Sequence, residues 1–145
     1  MQYNKEDLIQ YRLQRSKTTA DEARSAIEAN YLFNAENRIY YSIFYSVSAL
    51  ALKFNFSTSK HKQLLGWFNL NFIKTGLIPA KYGKIYRNAY DKRQESDYDD
   101  FVTLNMDEVE ADFENMQVFI QYINDFIYTE KYSFLLRTKS LQHSS

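Results

Sequence analysis

Cysteine is absent from this chain, proline occurs once and glycine three times. Without cysteine there can be no disulfide, no thiolate metal site and no cysteine nucleophile, and nothing in the chain needs an oxidising compartment. Average proteins carry about 7% glycine and about 5% proline, so the scarcity of both removes the usual helix breakers and predicts long uninterrupted helices. The fold class that follows is all-α. No run approaches the roughly 20 apolar residues of a membrane span, and Met1 to Asp7 lacks the basic-then-apolar layout of a secretion signal. A cytoplasmic protein without membrane contact is therefore expected. Charge of one sign is also missing, since 18 lysines and arginines balance 18 acidic residues.

Aromatic residues are plentiful, at 17% of a 145-residue chain that is 45% hydrophobic. That suffices for the core of one domain and hardly for two. The expected division is a helical domain over residues 1–131 followed by a tail over 132–145. Val109, Phe113, Met116, Ile120, Ile123 and Ile127 recur in four- and three-residue steps, the stripe of a packed amphipathic helix. Asn105 followed by Glu108 resembles a capping box at its start. A second stripe, Ala35, Ile39, Ile43, Val47, Leu50 and Phe54, runs through a tyrosine-rich segment. Between them, Ser57-Thr58-Ser59 offers caps for a helix through Phe72 and Ile73 that should stop at Gly76, and Pro79 suits the first turn of the next helix. On that helix Tyr82, Ile85, Tyr86, Ala89 and Tyr90 form the apolar side, and Arg93 falls on the same side as Tyr86. The first helix, about Lys5 to Asn30, is expected to carry an irregularity at its polar middle, Ser16 to Asp21.

Charge along the chain is segregated. Residues 60–93 hold eight lysines and arginines against Asp91 alone, whereas residues 94–116 hold nine acidic residues and no basic one. A basic surface for a polyanion such as RNA is one reading, and mutual complementation of neighbouring helices is the other. Arginine is rarely buried unpaired, so Arg38 among the tyrosines of Asn37 to Tyr45, together with Arg93, points to a polar site set into the helices.

Taken together, Asn37-Arg38-x-Tyr40-Tyr41-x-x-Phe44, Ser59-Lys60-His61, Phe72-Ile73-Lys74-Thr75-Gly76 and Arg93-x-x-x-Asp97-Tyr98 resemble the bacterial HEPN domain. The resemblance spans roughly residues 5 to 130. It implies an up-and-down antiparallel bundle of four to five helices, a homodimer, a toxin–antitoxin or nucleotide-binding role, and a minimal nucleotidyltransferase as antitoxin partner. Catalytic HEPN members resemble one another in an Arg-x(4–6)-His motif that supports metal-independent RNA cleavage by the ribose 2′-hydroxyl. Histidine moves protons near neutral pH, and arginine holds phosphate and offsets charge in the transition state. Here the matching arginine is Arg93, but Tyr98, Asp99 and Asp100 stand where histidine belongs. Arg137 and His143 have the spacing but lie in the tail, outside the matched region.

The site expected on these grounds has Arg38, Tyr41, Lys60 and Arg93 as ligand-binding residues, with Arg93, Asp97, Tyr98 and His61 as candidates for any chemistry. Two readings follow: a noncatalytic or regulatory module that binds RNA, a nucleotide or a partner protein, and a ribonuclease toxin with a divergent site centred on Arg93. A structural helical scaffold is the bland alternative. No Glu-x-x-His unit or glycine-rich phosphate loop is present, so no metal and no cofactor are expected.

Overall fold

Residues 4–98, 100 and 102–129 are described in the structure, a computed structural model, with the side chain of Tyr98 left aside. The tail with Arg137 and His143 lies outside the described residues. The chain forms α1 (Lys5–Glu28), α2 (Leu32–Lys53), α3 (His61–Phe68), α4 (Ala80–Tyr98) and α5 (Met106–Tyr128), with a π-helical turn at Asn69–Ile73 after α3.

Two helices end on asparagine rather than glycine. Asn30 and Asn55 take left-handed backbone angles, φ 62° and 63°. The Asn30 and Tyr31 amides donate to the Ile27 and Ala26 carbonyls, and the Asn55 and Phe56 amides donate to those of Leu52 and Ala51. Both are Schellman caps, which explains how so few glycines suffice. Gly76 adopts φ 77° after the π turn, near the stop expected there. At α5 the Asn105 side chain accepts from the Asp107 and Glu108 amides, so the helix starts where its sequence indicates. At α3, Lys60 rather than a serine is the N-cap. Thr58 serves from further back, its hydroxyl oxygen accepting from the Lys60 amide.

The four long helices alternate in direction. Arg12 reaches the Ser48 carbonyl and Lys5 reaches Asn55, so α1 and α2 are antiparallel. Arg24 pairs with Glu110, and Lys92 with Asp112, so α5 runs against both α1 and α4. α2 packs on α1, α4 and α5 and is the central element. Its expected stripe is buried as far as Leu50, with Phe54 half-buried. Around Phe119, which is fully buried, Phe68, Tyr82 and Tyr86 pack with ring centroids at 5.8, 6.2 and 6.0 Å.

α1 has no irregularity. Its polar middle is continuous helix, with Ser16 and Thr19 buried and Ser16 bonded to α2. Ser16 Oγ donates to the Ser42 carbonyl at 2.7 Å and Ser42 Oγ donates back to the Ser16 carbonyl at 2.8 Å, both buried. Small residues let the helices approach closely, and the paired hydroxyls satisfy one another, which removes the cost of burying them.

Candidate functional site

α2 carries the floor of the site. Tyr40 is fully buried, while Tyr41 and Phe44 are half-buried beside it on the same helix. From α4, Arg93 projects over them, its guanidinium carbon 5.4 Å from the Tyr40 ring centroid and 5.4 Å from that of Tyr41. Only 15% of its side chain is exposed. Desolvated rings beneath a guanidinium hold it by cation–π attraction and leave its outer edge for an anion. Asp97 Oδ2 lies 3.2 Å from Arg93 Nε, one turn along α4. The Nε–H is not aimed at that oxygen, so the contact is ionic and makes no hydrogen bond.

His61, the first residue of α3, completes the cluster. Its ring stacks on Phe44 with centroids 4.5 Å apart and planes at 17°, and meets the Tyr41 edge at 5.5 Å. The Tyr40 hydroxyl is 2.7 Å from His61 Nδ1. Burial holds the Tyr40 phenol well above its usual pKa, so it keeps its proton. Its only described partner is His61, and a buried hydroxyl needs an acceptor. Tyr40 therefore donates into Nδ1, which places the neutral imidazole's proton on Nε2. His61 is held below its ordinary pKa, first by burial and then by the positive charge of Arg93. At neutral pH the site thus presents a fixed guanidinium and a neutral imidazole with an N–H. Both donate to an anion.

Arg38 also approaches Tyr41, its guanidinium carbon 5.3 Å from that ring. It is partly engaged, donating from Nε and a terminal nitrogen to Asn37 Oδ1 and lying 3.7 Å from Glu22. The sequence-derived residues Arg38, Tyr41, His61, Arg93 and Asp97 are thus brought together. Lys60 is exposed and makes no described side-chain contact with the cluster. Tyr98 ends α4, but its side chain is outside the described residues, as is Asp99.

A second polar cluster lies deeper between α2, α4 and α5. Asp112 accepts from Lys92 Nζ at 2.5 Å and from Asn88 at 3.1 Å, and Lys92 is 3.7 Å from Glu108. Glu36 sits beside it, 1% exposed, with neither oxygen in hydrogen-bond geometry. Burial first, and then proximity to Asp112, raise its carboxyl from 4.5 to about 9, against the opposing pull of Lys92. A proton on Glu36 is close enough to be shared with Asp112, although their present geometry is too poor for a formed bond. The signal was legible, because Glu36 and Asp112 both interrupt core stripes at helical spacing. Lys92 accounts for one junction between the basic and acidic blocks, whereas Glu110 and Glu114 pair with Arg24 of α1. Among the described residues no group of three or more histidine, aspartate or glutamate side chains is arranged to hold a metal ion.

The HEPN domain model matches residues 9–126 of the chain. The protein belongs to the HEPN family. It is 35% identical over 123 residues to the "UPF0332 protein" of Thermotoga maritima, covering 85% of this chain and 93% of that protein. It is also 31% identical over 114 residues to a Methanocaldococcus jannaschii protein named "Putative toxin MJ0142", covering 74% of this chain and 78% of the other. The all-α bundle fits this HEPN assignment, and no described helix is long and apolar enough to cross a membrane.

Proposed function

We propose that this HEPN chain is a noncatalytic module that binds RNA or nucleotide phosphate at the Arg93 cluster, within a toxin–antitoxin pair. The observation that carries the reading is Arg93 itself, mostly buried over Tyr40 and Tyr41 and engaged only ionically by Asp97. An incoming phosphate would displace Asp97 from a single ionic contact and take a charge-assisted, bidentate interaction instead. Arg38 and the His61 Nε2–H would complete the donor set, and Tyr41 would offer a face for a base. The toxin name of one relative supports a toxin–antitoxin setting. A homodimer that repeats this cluster, with a minimal nucleotidyltransferase as antitoxin, is the assembly in which it would act.

One observation favours a second reading, a metal-independent ribonuclease. His61 brings an imidazole to the arginine although α4 lacks the histidine of the Arg-x(4–6)-His motif. Its Nε2 carries the proton in this arrangement, so it is set to donate rather than to abstract, and general-base catalysis would require the other tautomer. Binding is therefore the leading reading. Purified protein incubated with labelled RNA and a chelator should bind without cleaving, and Arg93→Ala should weaken that binding. Arg93-dependent products with cyclic-phosphate ends would establish the ribonuclease instead.

A further inference from the structure

The arginines of this fold fall into two groups. Arg24, Arg38, Arg87 and Arg93 each have a carboxylate within 4 Å. Arg12 and Arg15 have none among the described residues. They are one turn apart on α1, on the side that faces α2. Arg15 is exposed and lays its guanidinium carbon 4.6 Å from the Tyr45 ring centroid. Arg12 is half-buried, donates to the Ser48 carbonyl at 3.3 Å, and is pulled below its ordinary pKa by burial.

Tyr45 links this pair to the Arg93 cluster. Its ring centroid is 6.0 Å from that of Tyr41, which in turn lies 5.4 Å from the Arg93 guanidinium. Arg93, Tyr41, Tyr45, Arg15 and Arg12 thus form an unbroken strip in which half-buried tyrosines are flanked by guanidinium groups. The carboxylates described against it, Asp97 on Arg93 and Glu22 on the neighbouring Arg38, both lie at the Arg93 end, which leaves Arg12 and Arg15 as the strip's cations without a described counterion. Cations without counterions, spaced along aromatic rings, suit a chain of phosphates with unstacked bases. A duplex would bury its base faces and gain nothing from the rings.

We infer that Arg12, Arg15 and Tyr45 form a track that extends the Arg93 site for single-stranded RNA. This rests on the proposed phosphate-binding role of Arg93. It adds that the ligand is a polymer and sets the direction in which it leaves the site, toward the N-terminal half of α1.

The test compares an unstructured oligoribonucleotide of about twelve residues with adenosine monophosphate, by fluorescence anisotropy and calorimetry across a salt series. Arg12→Gln/Arg15→Gln should weaken the oligonucleotide by about tenfold or more near 0.1 M salt and lower the salt slope by about 1.4, the share of two phosphate contacts on a single strand. Tyr45→Ala should weaken it by about tenfold through lost stacking without changing the slope. Neither should alter mononucleotide binding, whereas Arg93→Ala should reduce both ligands. Arg15→Gln alone guards against misfolding, since Arg15 is exposed and its described contact is Tyr45. If the oligonucleotide binds in an Arg93-dependent way but ignores Arg15 and Tyr45, the track is refuted and the Arg93 site stands. If neither ligand binds the unaltered protein, the phosphate-binding reading itself fails. Dissociation of a dimer by Arg15→Gln with RNA affinity unchanged would also overturn the track, assigning the strip to a protein interface.

Discussion

Replacing Glu36 by glutamine should make the protein more stable, and increasingly so as pH rises. The carboxyl is 1% exposed, faces Asp112 and Glu108 from α5 and Lys92 from α4, and titrates at about 9 instead of 4.5. Between those values the folded chain keeps a proton that the unfolded chain releases, so stability must fall as pH rises through that window. The limiting slope is about 1.4 kcal/mol per pH unit, or about 4 kcal/mol from pH 5 to pH 8. Against the roughly 5–15 kcal/mol of a typical domain this is a large share. Glutamine has nearly the same volume, stays neutral and can donate to Asp112, so it abolishes this titration without opening a cavity. Urea unfolding at fixed pH values from 5 to 9 would measure the difference between the two proteins, with the titrations common to both cancelling. The expected difference is near zero at pH 5 and about 2–4 kcal/mol in favour of glutamine at pH 8. A difference that does not change with pH, or glutamine being the weaker variant at pH 8, would refute a buried neutral Glu36.

Three further outcomes follow from the geometry. Arg93→Ala should raise the pKa of His61, because the nearby positive charge is one of the two causes that depress it; an NMR titration of the imidazole would read the shift, and no change would mean burial alone sets it. Asp97→Asn should change stability by less than about 0.5 kcal/mol yet tighten phosphate binding severalfold, since it frees Arg93 from its described carboxylate; weaker binding in calorimetry would make Asp97 part of the ligand site rather than a competitor. Ser16→Ala should cost about 1 kcal/mol of unfolding free energy, whereas Ser16→Leu should cost more by forcing α1 from α2; equal effects in thermal unfolding would argue against a close crossing there.

Burial of Arg93 shows how far local pattern reaches. A stripe at helical spacing ties it to Tyr86 and places both on the core side of α4, because positions seven apart on a helix share a face. The same logic located α5 and its Asn105 cap, and the buried stripe of α2. It could not find the Schellman caps at Asn30 and Asn55, since asparagine reaches left-handed angles only less often than glycine and so marks a helix end weakly. Nor could it judge Ser16, whose poor helix propensity suggested a break that interhelical hydrogen bonding to Ser42 overrides.

What the sequence by itself determined is therefore the all-α architecture, most helix limits, and which side of each helix bears the arginines and tyrosines. Those properties are local: side-chain periodicity, capping chemistry and the scarcity of breakers act within one helix. Only the tertiary structure decided that the first turn of α3 meets the middle of α2, which turns His61 from a residue at a helix start into a hydrogen-bonded neighbour of Tyr40 under the field of Arg93. It alone seated Glu36 against Asp112, and left Arg12 and Arg15 beside Tyr45 with no carboxylate among the described residues. Burial, proton affinity and unpaired charge are set by what other helices bring to a residue, and no spacing along one helix encodes that.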